Sequence, residues 1–432
     1  MNVGKNIMWA ATEQVLRVGT VFFINIAIAR ILGPESYGVL STIFAYAAIF
    51  SGLAMFGLDT VVIREISVSS NQNFSQVLSN TLLIRLSATF IIIVFAGIWF
   101  WYGPRDTFSY NLCFLILLFP FQSVGSTLGN VFSGKLLTKY STIALISGLT
   151  LASVLRVYGI FSNKDIRYFI FCHLIEYVFA TLIVVYFFVR TFGPHISIAS
   201  PSKSGILLLI QGSAWLLISS IVMQLLQSAG LFFLAKLGSS EDLGNYAAAL
   251  RLVGLTQFLP LLIGQSFIPI INQLYREGDP SLELFEKQLF RCLALCGYGI
   301  SIGSIVIGPW LLPLLLGKAF ESAVPIFILL SFGAIPLSMA ASRAAIFSKQ
   351  RNYSSILISD VSGALIVGLF SIALISRFGS KGAALASVIG FFISYLIIPF
   401  FLMSRDPLTR SRMFQAFLFP FPDFTVLFHR RK

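Results

Sequence analysis

Between residues 7 and 403 the chain passes through one long apolar stretch after another, each separated from the next by a short polar interval. Most are long enough to cross a hydrocarbon layer about 30 Å thick, which takes about 20 residues of α-helix. Lipid offers a peptide backbone no hydrogen-bond partners, so each stretch must close its own N–H···O=C ladder and form a helix. A β-barrel is excluded, because barrel strands are about ten residues long and alternate in polarity. At helical length the spans read 7–32, 38–62, 77–102, 109–133, 140–161 and 167–190. A second set reads 205–235, 243–271, 289–316, 323–347, 354–376 and 381–403. Only 11% of the 432 residues are charged and 57% are hydrophobic, where a soluble chain would carry about 25% charged residues. The expected fold is all-α: a polytopic membrane protein of about twelve transmembrane helices in two six-helix parallel repeats.

The two sets of spans echo each other. Ala29-Arg30-Ile31-Leu32-Gly33, followed by Tyr37-Gly38, returns as Ala235-Lys236-Leu237-Gly238, followed by Leu243-Gly244. Phe132-Ser133 with Tyr140-Ser141, entering span five, returns as Phe347-Ser348 with Tyr353-Ser354, entering span eleven. Each echo falls in register with the span count, as duplication of one six-span unit requires, with the repeats related by an axis along the membrane normal. The expected organisation is an N-terminal half at 1–191, a linker at 192–204 containing Pro194 and Pro201, and a C-terminal half at 205–404. A basic, aromatic tail follows at 405–432. Lys135, Lys139, Lys349 and Arg351 fall on the side that also holds both termini, and the positive-inside rule makes that side cytoplasmic. The expected topology places both termini in the cytoplasm. The first span carries Glu13 and Arg17 and has no small-residue cleavage site, so it reads as a span and not as a signal peptide. The tail's aromatic run, Phe414 to Phe424, is broken by Pro420 and Pro422 and is too short to cross. It reads as an interfacial segment held to anionic lipid by its basic flanks, which also account for part of the net charge of +13.

Catalytic constellations are hard to find. Gly129-x-x-x-x-Gly134-Lys135 imitates a phosphate-binding loop, but Leu136 stands where the magnesium-binding hydroxyl belongs. The three histidines, His173, His195 and His429, are well separated, and no nucleic-acid-binding motif is present. Cys113, Cys172, Cys292 and Cys296 all lie in apolar runs and read as small core residues, although Cys292 and Cys296 are one turn apart. No enzyme activity, cofactor or metal is expected.

Charge within the spans is more informative, because each Arg near a helix centre costs about 2.5–3.5 kcal/mol on insertion scales and faces the bundle interior or water. Arg17 falls near the middle of span one, Arg85 lies within span three, and Arg251 lies in span eight. Glu13 and Arg17 are spaced i, i+4 in the favourable order and can neutralise each other. Arg156 is close enough to the end of span five to act as an interface anchor. Arg85 and Arg251 have no carboxylate partner within their own spans, which points them towards a polar cavity. Glu13, Glu176 and Asp360 are candidates for ion coupling; Glu176 with His173 one turn away reads equally as a relay or as an interhelical hydrogen bond. Gln224 and Gln227 in span seven and Gln265 in span eight add amides, and Gln265 shares a helix face with Arg251. A cavity lined by Arg and Gln would suit an anionic, hydroxyl-rich cargo, with phosphate on the arginines and sugar hydroxyls on the amides.

Ala29-Arg-Ile-Leu-Gly-Pro-Glu-Ser-Tyr-Gly38, followed by Gly57-Leu-Asp-Thr-Val-Val-Ile-Arg-Glu65, resembles the opening of the polysaccharide-biosynthesis flippases. These are the O-antigen and exopolysaccharide translocases, related to the multidrug and toxin extrusion proteins. The resemblance continues through Leu237-Gly238, Asn245-Tyr246-Ala247-Ala248, Arg251-Leu252, Arg377-Phe378-Gly379 and Lys381-Gly-Ala-Ala-Leu-Ala386. One departure is Gln227-Ser228-Ala229, where members often carry Arg-x-Asp. The resemblance implies a flippase that moves undecaprenyl-diphosphate-linked oligosaccharide units from the cytoplasmic to the periplasmic leaflet by rocking the two halves. It implies a lipid-linked oligosaccharide and membrane lipids as partners, with the polymerase and chain-length proteins of the same pathway. The alternatives are an ion-coupled exporter of small molecules or drugs and, ranked below it, a membrane polymerase or ligase.

Overall fold

The computed structural model describes residues 3–68, 71–102, 107–193, 200–340, 353–402 and 407–423. In chain order its α-helices are α1 (Val3–Met55), α2 (Asp59–Val68), α3 (Asn71–Tyr102), α4 (Thr107–Ile116), α5 (Phe119–Gly134), α6 (Thr138–Phe161), α7 (Ile166–Phe192) and α8 (Lys203–Leu237). They continue with α9 (Ser240–Thr256), α10 (Phe258–Glu277), α11 (Leu282–Leu316), α12 (Ala323–Ser331), α13 (Ala334–Ala340), α14 (Tyr353–Phe392), α15 (Ile398–Leu402) and α16 (Pro407–Leu418). A π-turn, Ile393–Ile397, joins α14 to α15. The described residues contain no strand, and the all-α expectation holds.

Two of these helices are far too long for one crossing. At about 1.5 Å per residue, the 53 residues of α1 would run for more than twice the thickness of a bilayer. Gly33 breaks α1 with φ 70° and ψ 173°, and Pro34 opens the next limb, where its fixed φ suits a first helical turn. Gly379 breaks α14 in the same manner, with φ 53°. A side chain at either position would be held in the left-handed region that glycine alone enters freely. Asp242 secures the second break: Ser380 Oγ donates to its carboxylate at 2.5 Å. Among the described residues nine stretches are long and apolar enough to cross, two of them doubled by these breaks, and α12 and α13 form a further pair bent by 43°. The result agrees with about twelve crossings.

The packing forms two compact units. One comprises Met1–Leu32 and Ile43–Ile221, the other Gly33–Thr42 and Val222–Lys432. The boundary between the units falls inside α8. In the first unit, Leu58 and, from α2, Val61, Val62 and Ile66 pack with Phe74 and Leu78 of α3, Val131 and Phe132 of α5, and Val184 of α7. In the second, Leu226 and Ala229 of α8 meet Val367 and Phe391 of α14. Large apolar residues such as Phe90, Ile91, Trp310, Leu314, Leu365 and Leu369 are exposed. In water each would forfeit about 25 cal/mol per Å² of apolar surface; facing lipid they lose nothing.

Within the second unit the two echoed turns meet. A Cβ on Gly38 would lie 2.7 Å from the backbone nitrogen of Gly244, and one on Gly244 would lie 1.8 Å from the carbonyl oxygen of Pro34. α16 is docked on α11, with Met413 and Ala416 buried beside Phe290 and Ala294. Arg412 pairs with Glu283 at 2.5 Å and approaches the buried Glu286 at 3.7 Å. Arg412 is thus ion-paired to α11. Arg405, Lys349, Arg351 and Arg430 lie outside the described residues.

Candidate functional site: charge and broken helices inside the membrane

The second span is interrupted where α1 ends and α2 begins. Phe56 and Gly57 take φ values of 56° and 61°, a backbone region that a bulky residue such as Phe rarely enters. The close approach of Gly57 to the backbone of α8 permits no side chain there, since a Cβ would sit 2.6 Å from the Leu217 nitrogen. Breaking a helix leaves carbonyls at its end without their intrahelical donors; the Met55 carbonyl accepts from the Leu58 backbone nitrogen at 3.2 Å, and Arg85 adds a second donor. Its Nε donates to the Met55 carbonyl oxygen at 3.2 Å, and Nη1 donates to Ser126 Oγ at 3.2 Å and Thr127 Oγ1 at 3.0 Å. Its Nη2 donates to Asp59 Oδ1 at 2.7 Å. Ser126 Oγ and Asn130 Nδ2 donate to the same carboxylate oxygen at 2.9 and 2.6 Å. The sequence reading turns Arg85 towards a polar cavity; the structure buries it completely and pairs it with Asp59, whose side chain is half exposed. The acid was missed because it lies on another span. Its one sequence signal is its place directly after Gly57-Leu58 in the motif that carries the family resemblance.

A second cluster in the same unit lies between α6 and α7. Arg156 Nη2 donates to Glu176 Oε2 at 2.6 Å and lies 3.4 Å from His173 Nδ1. Arg156 is buried, so it is an ion-pair partner and not the interface anchor expected of it. The pairing residues are 20 positions apart across a helical hairpin, beyond any spacing that a single helix pattern reveals. The hairpin is tight here: a Cβ on Gly148 would lie 2.5 Å from the Glu176 carbonyl oxygen. The imidazole of His173 packs edge-on against Phe44 and Tyr177 at 5.0 and 5.1 Å. On α1, Glu13 and Arg17 form the i, i+4 pair that their spacing indicates, at 2.9 Å, and Arg17 also donates to Gln14 at 2.6 Å. Tyr177 lies within the electrostatic reach of Glu13, Arg17, Arg156 and Glu176, so the two pairs share one neighbourhood. Arg17 keeps half its side chain exposed.

In the second unit Arg251 is exposed on α9, and no ion pair forms to it among the described residues. Its charge reaches Tyr37 in the echoed turn. Gln224 donates to Ser228 Oγ at 3.0 Å, and Gln227 is exposed. The side chain of Gln265 lies outside the described residues. Span eight is also interrupted, at Gln257 between α9 and α10, and the Gln257 Nε2 is buried with no partner among the described residues. The second span of each repeat is thus a broken helix. Asp360 is buried in α14 and accepts from Ser394 Oγ at 3.1 Å, at the π-turn; π-turns often mark functional positions.

The resemblance to a phosphate-binding loop at Gly129–Lys135 is a helix C-terminus, since α5 ends at Gly134. Carbonyl oxygens point outward there and repel phosphate. Among the described residues no group of three His, Cys, Asp or Glu side chains could hold a metal ion.

Residues 3–275 match the family described as polysaccharide biosynthesis protein. The chain belongs to that family. An uncharacterized membrane protein of Methanocaldococcus jannaschii is 20% identical over 427 residues, covering 92% of this chain and 83% of the relative. An inward-facing multidrug resistance MATE family transporter of the MOP superfamily superposes with a TM-score of 0.76 at 14% identity, covering 91% of this chain and 94% of the other. The lipid II flippase MurJ, in an inward closed conformation, gives a TM-score of 0.72 at 11% identity, covering 98% and 95%. A MOP superfamily transporter from Pyrococcus furiosus gives 0.63 at 15% identity, covering 96% and 97%. Identities this low establish a shared fold. The family match and the long apolar helices make the chain a multi-pass membrane protein of the polysaccharide-biosynthesis family.

Proposed function

We propose that this family member is a flippase for lipid-linked oligosaccharides, moving undecaprenyl-diphosphate-linked repeat units from the cytoplasmic to the periplasmic leaflet of the bacterial inner membrane, with both termini cytoplasmic. The polymers served are of the O-antigen or exopolysaccharide kind. The observation that carries the reading is the distribution of intramembrane charge. Glu13, Asp59 and Glu176 are each held by an arginine, while Arg251 stays exposed with no ion pair among the described residues. Such a chain attracts anions. Interruptions at corresponding points of two repeats are the best sequence-level pointer to a transporter's binding site; Gln257 stands at one of them and Arg251 lies on the helix that leads into it.

In this mechanism Arg251 takes a phosphate of the diphosphate by charge-assisted hydrogen bonds, and Arg17 is the second candidate. Gln224, Gln227 and Gln265 offer amides to sugar hydroxyls. Arg85 serves indirectly, by holding the break in span two. Glu13, Glu176 and Asp360 remain the candidates for ion coupling. The polymerase and chain-length proteins of the pathway are the partners downstream.

The test is an accessibility assay in spheroplasts. With Arg251→Ala, or with Arg17→Ala, lipid-linked units should accumulate on the cytoplasmic face while the protein remains in the membrane at normal levels. Normal flipping in both variants would overturn the phosphate assignment. Normal polymer output and altered drug susceptibility in a deletion strain would favour the exporter.

A further inference from the structure

The first unit holds a cavity of about 830 Å³ that the transport reading does not use. It lies beside the turn between α6 and α7, and its wall comes from α4, α6 and α7. Tyr110, Phe114, Tyr158 and Phe171 line it, each with much of its ring exposed. Two cations stand at the turn, Lys164 and Arg167. Both are exposed, and neither forms an ion pair among the described residues. Asp165, the acid between them, is the N-cap of α7, and its Oδ1 accepts from the Tyr168 backbone nitrogen at 3.3 Å. The turn is rigid: Lys164 N donates to the Gly159 carbonyl at 2.9 Å, and Asn163 sits at φ 47°. Asn111 lines the same cavity, is only 5% exposed, and its Nδ2 has no acceptor among the described residues.

Aromatic residues near the ends of membrane helices commonly form an interfacial belt. A belt leaves each ring facing lipid separately. Here the rings converge on one cavity with a buried amide that lacks an acceptor and two unpaired cations. We propose that this cavity binds an anionic glycerophospholipid of the surrounding bilayer. Its phosphodiester lies against Lys164 and Arg167, a polar ester or glycerol oxygen accepts from Asn111, and the upper acyl chain packs on Phe114 and Phe171. The position favours a lipid over a soluble anion. The cations sit at the turn between two long apolar helices, the end of a span where a lipid headgroup would lie, and the remaining wall is largely apolar.

The test uses the full chain in phosphatidylcholine nanodiscs, with phosphatidylglycerol titrated in and bound lipid counted by native mass spectrometry after release into detergent. Phosphatidylglycerol should be retained in preference to phosphatidylcholine. The double variant Lys164→Ala with Arg167→Ala should weaken that retention by roughly thirtyfold, since each basic residue near an anionic surface contributes about 1 kcal/mol. An Asn111→Leu variant, scored alongside by thermal stability, should weaken retention without a lower melting temperature. Equal retention of the two lipids, or retention unchanged in the double variant, overturns the proposal. So does competition by inorganic phosphate, which would indicate an anion site, or stronger binding of undecaprenyl phosphate, which would indicate a cargo site.

Discussion

Arg85 and Asp59 share one hydrogen-bonded network but occupy unequal environments, and the inequality predicts unequal consequences. Arg85 is fully buried, whereas half of the Asp59 side chain is exposed. Asp59→Asn leaves a guanidinium buried beside a neutral partner, and stranding one charge of a buried pair costs about 3–5 kcal/mol. Arg85→Met removes the buried charge and leaves an acid that can turn outward, so its cost should be smaller despite the lost donor at Met55. Melting curves in detergent should rank wild type above Arg85→Met and Arg85→Met above Asp59→Asn. The reverse order would mean that capping the broken helix matters more than charge balance. Arg156 and Glu176 behave alike: each acid lies on a different element from its arginine, whereas Glu13 and Arg17, one turn apart, pair visibly in sequence.

At the scale of elements, glycines decide which helices touch. A Cβ on Gly244 would collide with Pro34, yet one on Gly254, on the same helix, would meet nothing within 4 Å. Gly244→Ala should therefore lower the melting temperature by several degrees. Gly254→Ala should leave it unchanged or raise it slightly, because alanine is better than glycine in a helix by about 1 kcal/mol. Equal behaviour of the two would show that the echoed turns do not depend on backbone contact. The tail helix makes a similar claim. Because Met413 and Ala416 are buried against α11, truncation after residue 406 should destabilise the purified protein even in detergent without anionic lipid. A tail that served only as a lipid tether would leave that melting temperature unchanged.

At the scale of the whole molecule, apolar run lengths were enough to specify an all-α membrane protein of about twelve crossings, and glycine with proline marked the turn at Gly33. The echo of Tyr37-Gly38 in Leu243-Gly244 was legible as a repeat; that its two glycines meet was not. The transport reading makes its own prediction here: Arg251→Ala should block flipping while leaving membrane insertion intact, measured as cytoplasmic-face accumulation of lipid-linked units. Sequence alone determined the spans, the repeat and the sites of intramembrane charge, because those depend on local hydrophobicity and on spacing along one helix. Tertiary structure decided which charges are neutralised. Arg85 and Arg156 find their acids across helices, Arg412 finds Glu283 on α11, and Arg251 stays exposed. Coulomb pairing in a low-dielectric interior depends on distance in space, and that distance is set by which helices pack together.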